Sequence, residues 1–179
     1  MGFLPTSMLT MSHWPELTQA FGGLGATILG GGELDAGLKQ MIAFVVSNAA
    51  GCRYCQAHTA NSAQENDVSA EKIQAVFEFE SSELFSEKEK AALRVALHAG
   101  MVPNAVEAEH MNELSKHFSE KQAVEVVAVI SLFGFLNRWN DTMATTLESS
   151  PRSFASQQLA SHGWVVGKHE YRECKVGAD

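Results

Sequence analysis

Two of the three cysteines, Cys52 and Cys55, are separated by two residues, and His58 follows three positions later. The segment from Cys52 to Glu65 is Ala-rich and free of Pro and Gly, so it is predicted as a helix, with Gly51 as the C-cap or hinge of the helix before it. On a helix Cys55 lies almost over Cys52, close enough for a disulfide with little backbone movement. His58 is again a same-face neighbour of Cys55, while it points well away from Cys52. The unpaired N–H groups at a helix start favour a thiolate at Cys52, and the histidine favours one at Cys55. Such a pair suits thiol redox chemistry. One thiolate attacks an O–O bond and becomes a sulfenic acid, the other condenses with it to a disulfide, and an external dithiol reduces the product by exchange.

Other uses of these residues are weaker. A zinc site would need a tetrahedral donor set, and three ligands within seven helical residues do not surround an ion. His169 and Cys174 supply a fourth only if the tail folds back. Haem attachment needs a histidine directly after the second cysteine, where Gln56 stands. Two inert core cysteines are a further reading, against which Arg53, Gln56 and His58 argue. Neither cofactor nor metal is therefore expected. Asn140-Asp141-Thr142 forms a glycosylation sequon, discounted because it falls in a predicted helix.

The elements that must position the pair read as helices throughout, so the fold class is all-α, a bundle of antiparallel helix pairs. The first ten residues read as an irregular arm. Ser12 is the expected cap of a first helix that carries Pro15, Leu17, Phe21, Leu24 and Ile28 and stops at Gly30-Gly31-Gly32. That glycine run lacks the Lys-Ser/Thr of a phosphate loop. Asp35 is placed as the cap of the helix whose apolar face holds Leu38, Met41, Ile42, Val45 and Val46. Ser69 caps a short helix, and capping boxes start at Ser86 and Ser119. A helix is expected over 104–117, and the last and most apolar one over 123–147. Because that one is apolar almost all round, it belongs at the centre or at a subunit interface. One domain, residues 1–179, is expected, with a core of about 14–148 and a tail from 149 whose conformation stays open.

Composition narrows the class. The chain has 179 residues and a net charge of −8, from 13 Lys and Arg against 21 Asp and Glu, with no basic cluster, which argues against nucleic acid or an anionic membrane as partner. No apolar run spans a bilayer and the N-terminus does not read as a signal peptide, so a cytoplasmic location is expected.

The run Ala49-Ala50-Gly51-Cys52-Arg53-Tyr54-Cys55-Gln56-Ala57-His58-Thr59, with Leu38-Lys39-Gln40-Met41-Ile42-Ala43 before it and Phe133-Gly134-Phe135-Leu136-Asn137-Arg138-Trp139-Asn140-Asp141 late in the chain, resembles the alkylhydroperoxidase D (AhpD)-like group of the carboxymuconolactone decarboxylase superfamily. The likeness extends from about Trp14 to Lys168. It implies an all-α fold, cysteine-based reduction of hydroperoxides, a dithiol reductant protein or small thiol as partner, and homo-oligomers. Cys52, Cys55 and His58 are the implied catalytic residues, with Gln40, Tyr54 and Thr59 in support. By the group's pattern Cys55 meets the peroxide and Cys52 resolves it. The group's glutamate twelve residues before the first cysteine is Gln40 here, and its histidine four residues after the second is Thr59, so the proton relay is altered at two points. Gln40 hydrogen-bonds but does not take a proton as a carboxylate does. A redox-responsive scaffold without turnover is the main rival, and a zinc-binding module the lesser one.

Overall fold

The computed structural model describes residues 4–171. Cys174 falls outside them. Nine α-helices occur among the described residues, and no strand: α1 (Thr6–Met11), α2 (Pro15–Gly30), α3 (Ala36–Ala49), α4 (Arg53–Glu65), α5 (Ala70–Gln74), α6 (Glu87–Ala99), α7 (Ala108–His117), α8 (Glu120–Met143) and α9 (Ser149–Gln158). The all-α expectation holds.

The predicted caps at Asp35, Ser69, Ser86 and Ser119 form as expected. Each side-chain oxygen accepts a helix-start N–H, and Ser86 and Ser119 close full capping boxes with Glu89 and Gln122. Three boundaries differ. The arm is not irregular: Thr6–Met11 coils into α1, and Ser12 ends that helix instead of starting the next. Asn104 turns its side-chain oxygen onto the Val106 N–H, a local bond that competes with helix formation, so α7 begins only at Ala108. The last apolar helix stops at Met143, where Ala144 takes a left-handed conformation.

α3 is the hub, packed on α4, α6 and α8, and Met41, Ile42, Ala43, Phe44, Val45 and Val46 along it are all buried. The core cluster continues through Leu93 and Val95 of α6, Val126, Val129 and Phe133 of α8, and Phe154 of α9. α8 is central but not enclosed, because Val124, Val127 and Phe135 remain exposed. The tail folds back on α4. Trp164 donates its indole N–H to the Arg53 carbonyl at 3.1 Å, and the Leu147 N–H donates to the His169 carbonyl at 2.9 Å.

The glycine run after α2 is a clamp. The N–H groups of Glu33 and Leu34 donate to the Glu125 carboxylate of α8 at 2.8 to 3.0 Å. Gly32 has φ +86°, and a Cβ there would lie 2.2 Å from a Glu125 oxygen, so glycine is required on both counts. Beneath it the buried Lys39 ammonium donates to the Ile28 carbonyl at 2.8 Å and to the Gly31 carbonyl, and lies 3.7 Å from Glu125. Lys39→Met keeps the volume but leaves a carboxylate and two carbonyls without their cation. It is expected to cost about 2–4 kcal/mol in denaturant unfolding. An unchanged midpoint would rule the clamp out as a stabilising feature.

Candidate functional site

Cys52 is held from both sides. α3 ends in a Schellman motif: the Gly51 N–H donates to the Asn48 carbonyl and the Cys52 N–H to the Ser47 carbonyl, both at 3.1 Å, with Gly51 at φ +76°. Cys52 then becomes the N-cap of α4 in extended conformation. One residue thus closes one helix and opens the next, which leaves its side chain little freedom.

Both sulfurs are buried, Cys52 at 0% and Cys55 at 2% exposure, and both are free thiols. Their acidities are driven apart. The Cys55 thiol donates to the Cys52 sulfur, which lowers the Cys52 pKa against the opposing effect of burial, and the N–H groups of Cys55 and Tyr54 at the helix start add to this. Burial and then that same hydrogen bond push the Cys55 thiol well up. The Asn140 side-chain N–H lies 3.5 Å from the Cys55 sulfur and donates to it. The more acidic thiol is therefore Cys52, where the helix start favours it.

His58 faces a carboxylate. Its Nε2 lies 2.6 Å from Oε2 of Glu148, the N-cap of α9. The Tyr54 hydroxyl donates to Oε1 of the same group at 2.9 Å, the Thr6 N–H donates there too, and the Ser7 N–H donates to the Tyr54 oxygen at 3.3 Å. Burial raises the Glu148 pKa, but the hydrogen bond and charge of His58, with the Thr6 N–H, outweigh it and hold the carboxyl at about 2. An ionised carboxylate only accepts, so His58 donates through Nε2. Burial and the Glu148 charge push the Tyr54 phenol up, which keeps it a donor.

The altered relay positions resolve differently. Gln40 stands half-buried on α3. Thr59 bonds back to the Cys55 carbonyl at 2.7 Å, a local helix contact. A carboxylate does face His58, that of Glu148 at the start of α9.

A cleft of about 610 Å³ is walled by Val46, Ala50, Val95, Met101, Ile130, Asn137 and Asp141 among others. Asn137 is buried, and neither end of its amide has a hydrogen-bond partner. A second hollow of about 700 Å³ opens at Glu148, Thr6, Arg152 and Tyr171. As for metals, Cys52, Asp141 and His169 are the group among the described residues whose donor atoms converge, within 4.8 Å of one another.

The sequence profile of the carboxymuconolactone decarboxylase family matches residues 15–98. A solved structure of the debrominase Bmp8 is 40% identical, covers 87% of this chain and 84% of its own, and superposes with a TM-score of 0.83. The chain belongs to the carboxymuconolactone decarboxylase family. Bmp8 is also known as a cysteine-to-alanine variant in complex with 2,3,4-tribromopyrrole. The AhpD-core, peroxidase-related protein of Ralstonia eutropha JMP134 shares the fold at a TM-score of 0.70, with 24% identity over 79% of this chain and 75% of its own. YnjA of Escherichia coli (strain K12) is 28% identical over 110 residues, 62% of this chain, and the match spans 60% of YnjA. The all-α, AhpD-like fold expected of a family member is the fold observed. No helix of the described residues is long and apolar enough to cross a membrane.

Within this family member, Cys52 and Cys55 are hydrogen-bonded to each other, and the Tyr54 and His58 rings lie 4.4 Å apart and share Glu148. Glu148, Asn140 and Asp141 were not singled out as parts of this site from sequence, and His169 only as a fourth metal ligand should the tail fold back. They approach α4 from elements that are 85 or more residues away, and nothing local to them signals the contact.

Proposed function

We propose that the chain is a dithiol-dependent reductase of hydroperoxides with Cys52 as nucleophile and Cys55 as resolving thiol. The hydrogen-bonded Cys52–Cys55 pair at the start of α4, with the acidity on Cys52, carries the reading. The Cys52 thiolate attacks the terminal peroxide oxygen. An S–O bond forms as the O–O bond breaks, and the departing alkoxide leaves as alcohol after taking a proton. Cys55 then attacks the sulfenic sulfur, an S–S bond forms, and hydroxide leaves as water with the Cys55 proton. In sum, two thiols and ROOH give a disulfide, ROH and water. Thiol exchange with a reductant protein or small dithiol restores the pair, so the reading calls for a reducing compartment such as the cytoplasm. The His58–Glu148–Tyr54 cluster, beside the second hollow, is the group suited to moving those protons. The exposed Val124, Val127 and Phe135 on α8 fit the self-association common in such proteins.

A second acceptor is favoured by a specific observation, the 40% identity to a debrominase. The same thiolate attacks a ring-bound bromine, an S–Br bond forms as the C–Br bond breaks, and the ring carbon takes a proton. Cys55 displaces bromide, and the same disulfide results. The 610 Å³ cleft, walled by apolar and polar groups together and holding the unpartnered Asn137 amide, suits a small heteroaromatic ring with one hydrogen-bonding edge.

One experiment tests the pair and its acceptor. The reduced full-length protein is treated with tert-butyl hydroperoxide or with a brominated pyrrole. Peroxide loss, bromide release and the masses of the peptides bearing Cys52 and Cys55 are followed, with and without excess dithiol. Loss of two hydrogens across the pair and multiple turnovers are expected. A disulfide without turnover would favour the scaffold role, and two thiols left reduced under both treatments would sink the proposal.

A further inference from the structure

The Cys52, Asp141 and His169 cluster has a use that the reductase cycle leaves open. Its members come from the start of α4, the end of α8 and the 3-10 turn Gly167–His169. His169 is buried, at 1% exposure. Its Nδ1 lies 2.8 Å from the Thr145 carbonyl, which only accepts, so Nδ1 carries a hydrogen and Nε2 is the ring nitrogen turned into the cluster. That Nε2 has no hydrogen-bond partner, and Oδ1 of Asp141 faces it at 3.6 Å. A gap of 3.6 Å is too long for a good direct hydrogen bond, and a shared cation would bridge the two atoms. Ligands of one zinc ion, each about 2.0–2.3 Å from it, stand about this far apart.

Thiolate, imidazole and carboxylate together select a borderline-soft divalent cation over magnesium or calcium. The outer contacts of such a centre are already in place. Thr145 fixes the His169 ring, and Lys168 holds the other Asp141 oxygen at 2.7 Å. Asp141 also lines the 610 Å³ cleft, which offers an ion a path from solvent.

We propose that the reduced protein binds one divalent cation of the zinc class through Cys52, Asp141 and His169, and that this cation and the Cys52–Cys55 disulfide exclude each other. Only the second clause rests on the proposed dithiol cycle. The exclusion is chemical: a sulfur bonded to Cys55 is no longer a thiolate ligand, and a sulfur that donates to a cation is a poorer nucleophile. Zinc would thus hold the pair reduced and silent, and oxidation would release the ion.

The test uses the full chain, stripped with a chelator and reduced with a phosphine. Zinc chloride is titrated by calorimetry, and cobalt(II) serves as the spectroscopic probe. One ion per chain with micromolar or tighter affinity is expected, with a thiolate-to-cobalt charge-transfer band. Cys52→Ser should remove the band. Asp141→Asn, at a half-buried position that tolerates the change, should weaken binding about tenfold or more. His169→Gln should do the same where circular dichroism shows it folded. Bound zinc should also block the peroxide-driven disulfide. No uptake at micromolar zinc, or uptake indifferent to Cys52→Ser and Asp141→Asn, overturns the cation site. If zinc binds through these residues while peroxide leaves both thiols reduced, the site stands and the reductase reading falls; a disulfide that forms in a protein unable to take up zinc has the opposite meaning.

Discussion

Cys52→Ser protein stays unmodified under stoichiometric hydroperoxide, while Cys55→Ser protein gains one oxygen on Cys52 and stops there. These are the results expected if Cys52 is the nucleophile. The reason is the divergence between the two thiols, with Cys52 made acidic by the Cys55 hydrogen bond and Cys55 made less so by burial. Steady-state turnover should fall about 10³-fold or more in either variant, since the two sulfurs act as a unit. The single-turnover products separate their roles. A sulfenic acid on Cys55 in the Cys52→Ser protein, with no oxygen gained by the Cys55→Ser protein, would reverse the assignment and restore the order that the family pattern implies. Trapping with a sulfenic-acid reagent followed by peptide mass mapping gives the answer for both variants.

The second large effect is expected at Glu148. Glu148→Gln leaves the His58 and Tyr54 donors facing a neutral amide whose N–H₂ end opposes one of them. If His58 moves protons for the dithiol, turnover should drop about 10²-fold, the lower range for loss of acid–base catalysis, while the peroxide KM changes little. Stability gives an independent reading. The folded pKa of Glu148, about 2, lies below the ordinary 4.5, so its contribution is fully present above pH 4.5 and is lost as pH falls towards 2. The wild-type protein should therefore be more stable than the variant at neutral pH, by about 1–3 kcal/mol for charged hydrogen bonds of this kind. The gap should close between pH 4.5 and 2, where His58 and Tyr54 face an uncharged group in both proteins, the protonated acid in one and the amide in the other. A gap independent of pH, measured by denaturant unfolding, would mean that the Glu148 charge is not what holds the cluster together.

Much of the scaffold was legible because helix starts are short-range events. The caps at Asp35, Ser69, Ser86 and Ser119 depend on residues within one turn, and all four formed where the pattern placed them. The misread segments are ones where distant partners or a competing local bond decided. α1 has no side-chain cap. It is instead tied down by Trp139, which donates to Thr10 at 2.9 Å, and by Glu148, which accepts from Thr6. The tail was unreadable for the same reason, since Phe154, Leu159 and Trp164 find their burial only against elements far back in the chain.

The active stretch divides along the same line. The sequence by itself determined the local pair: Gly51, free to take φ +76°, ends one helix so that Cys52 begins the next, and the Cys-x-x-Cys spacing sets the second sulfur one turn above the first. It also determined that His58 would share the Cys55 face and that Gln40 would bring no carboxylate. The surroundings of the pair come from packing between distant segments. The folded tail sets Glu148 against His58, α8 turns Asn140 to Cys55 and Asp141 towards Cys52, and the last turn buries His169 beside them. No local pattern carries those contacts, because each is made by packing between helices whose sequences are unrelated except through the core they share.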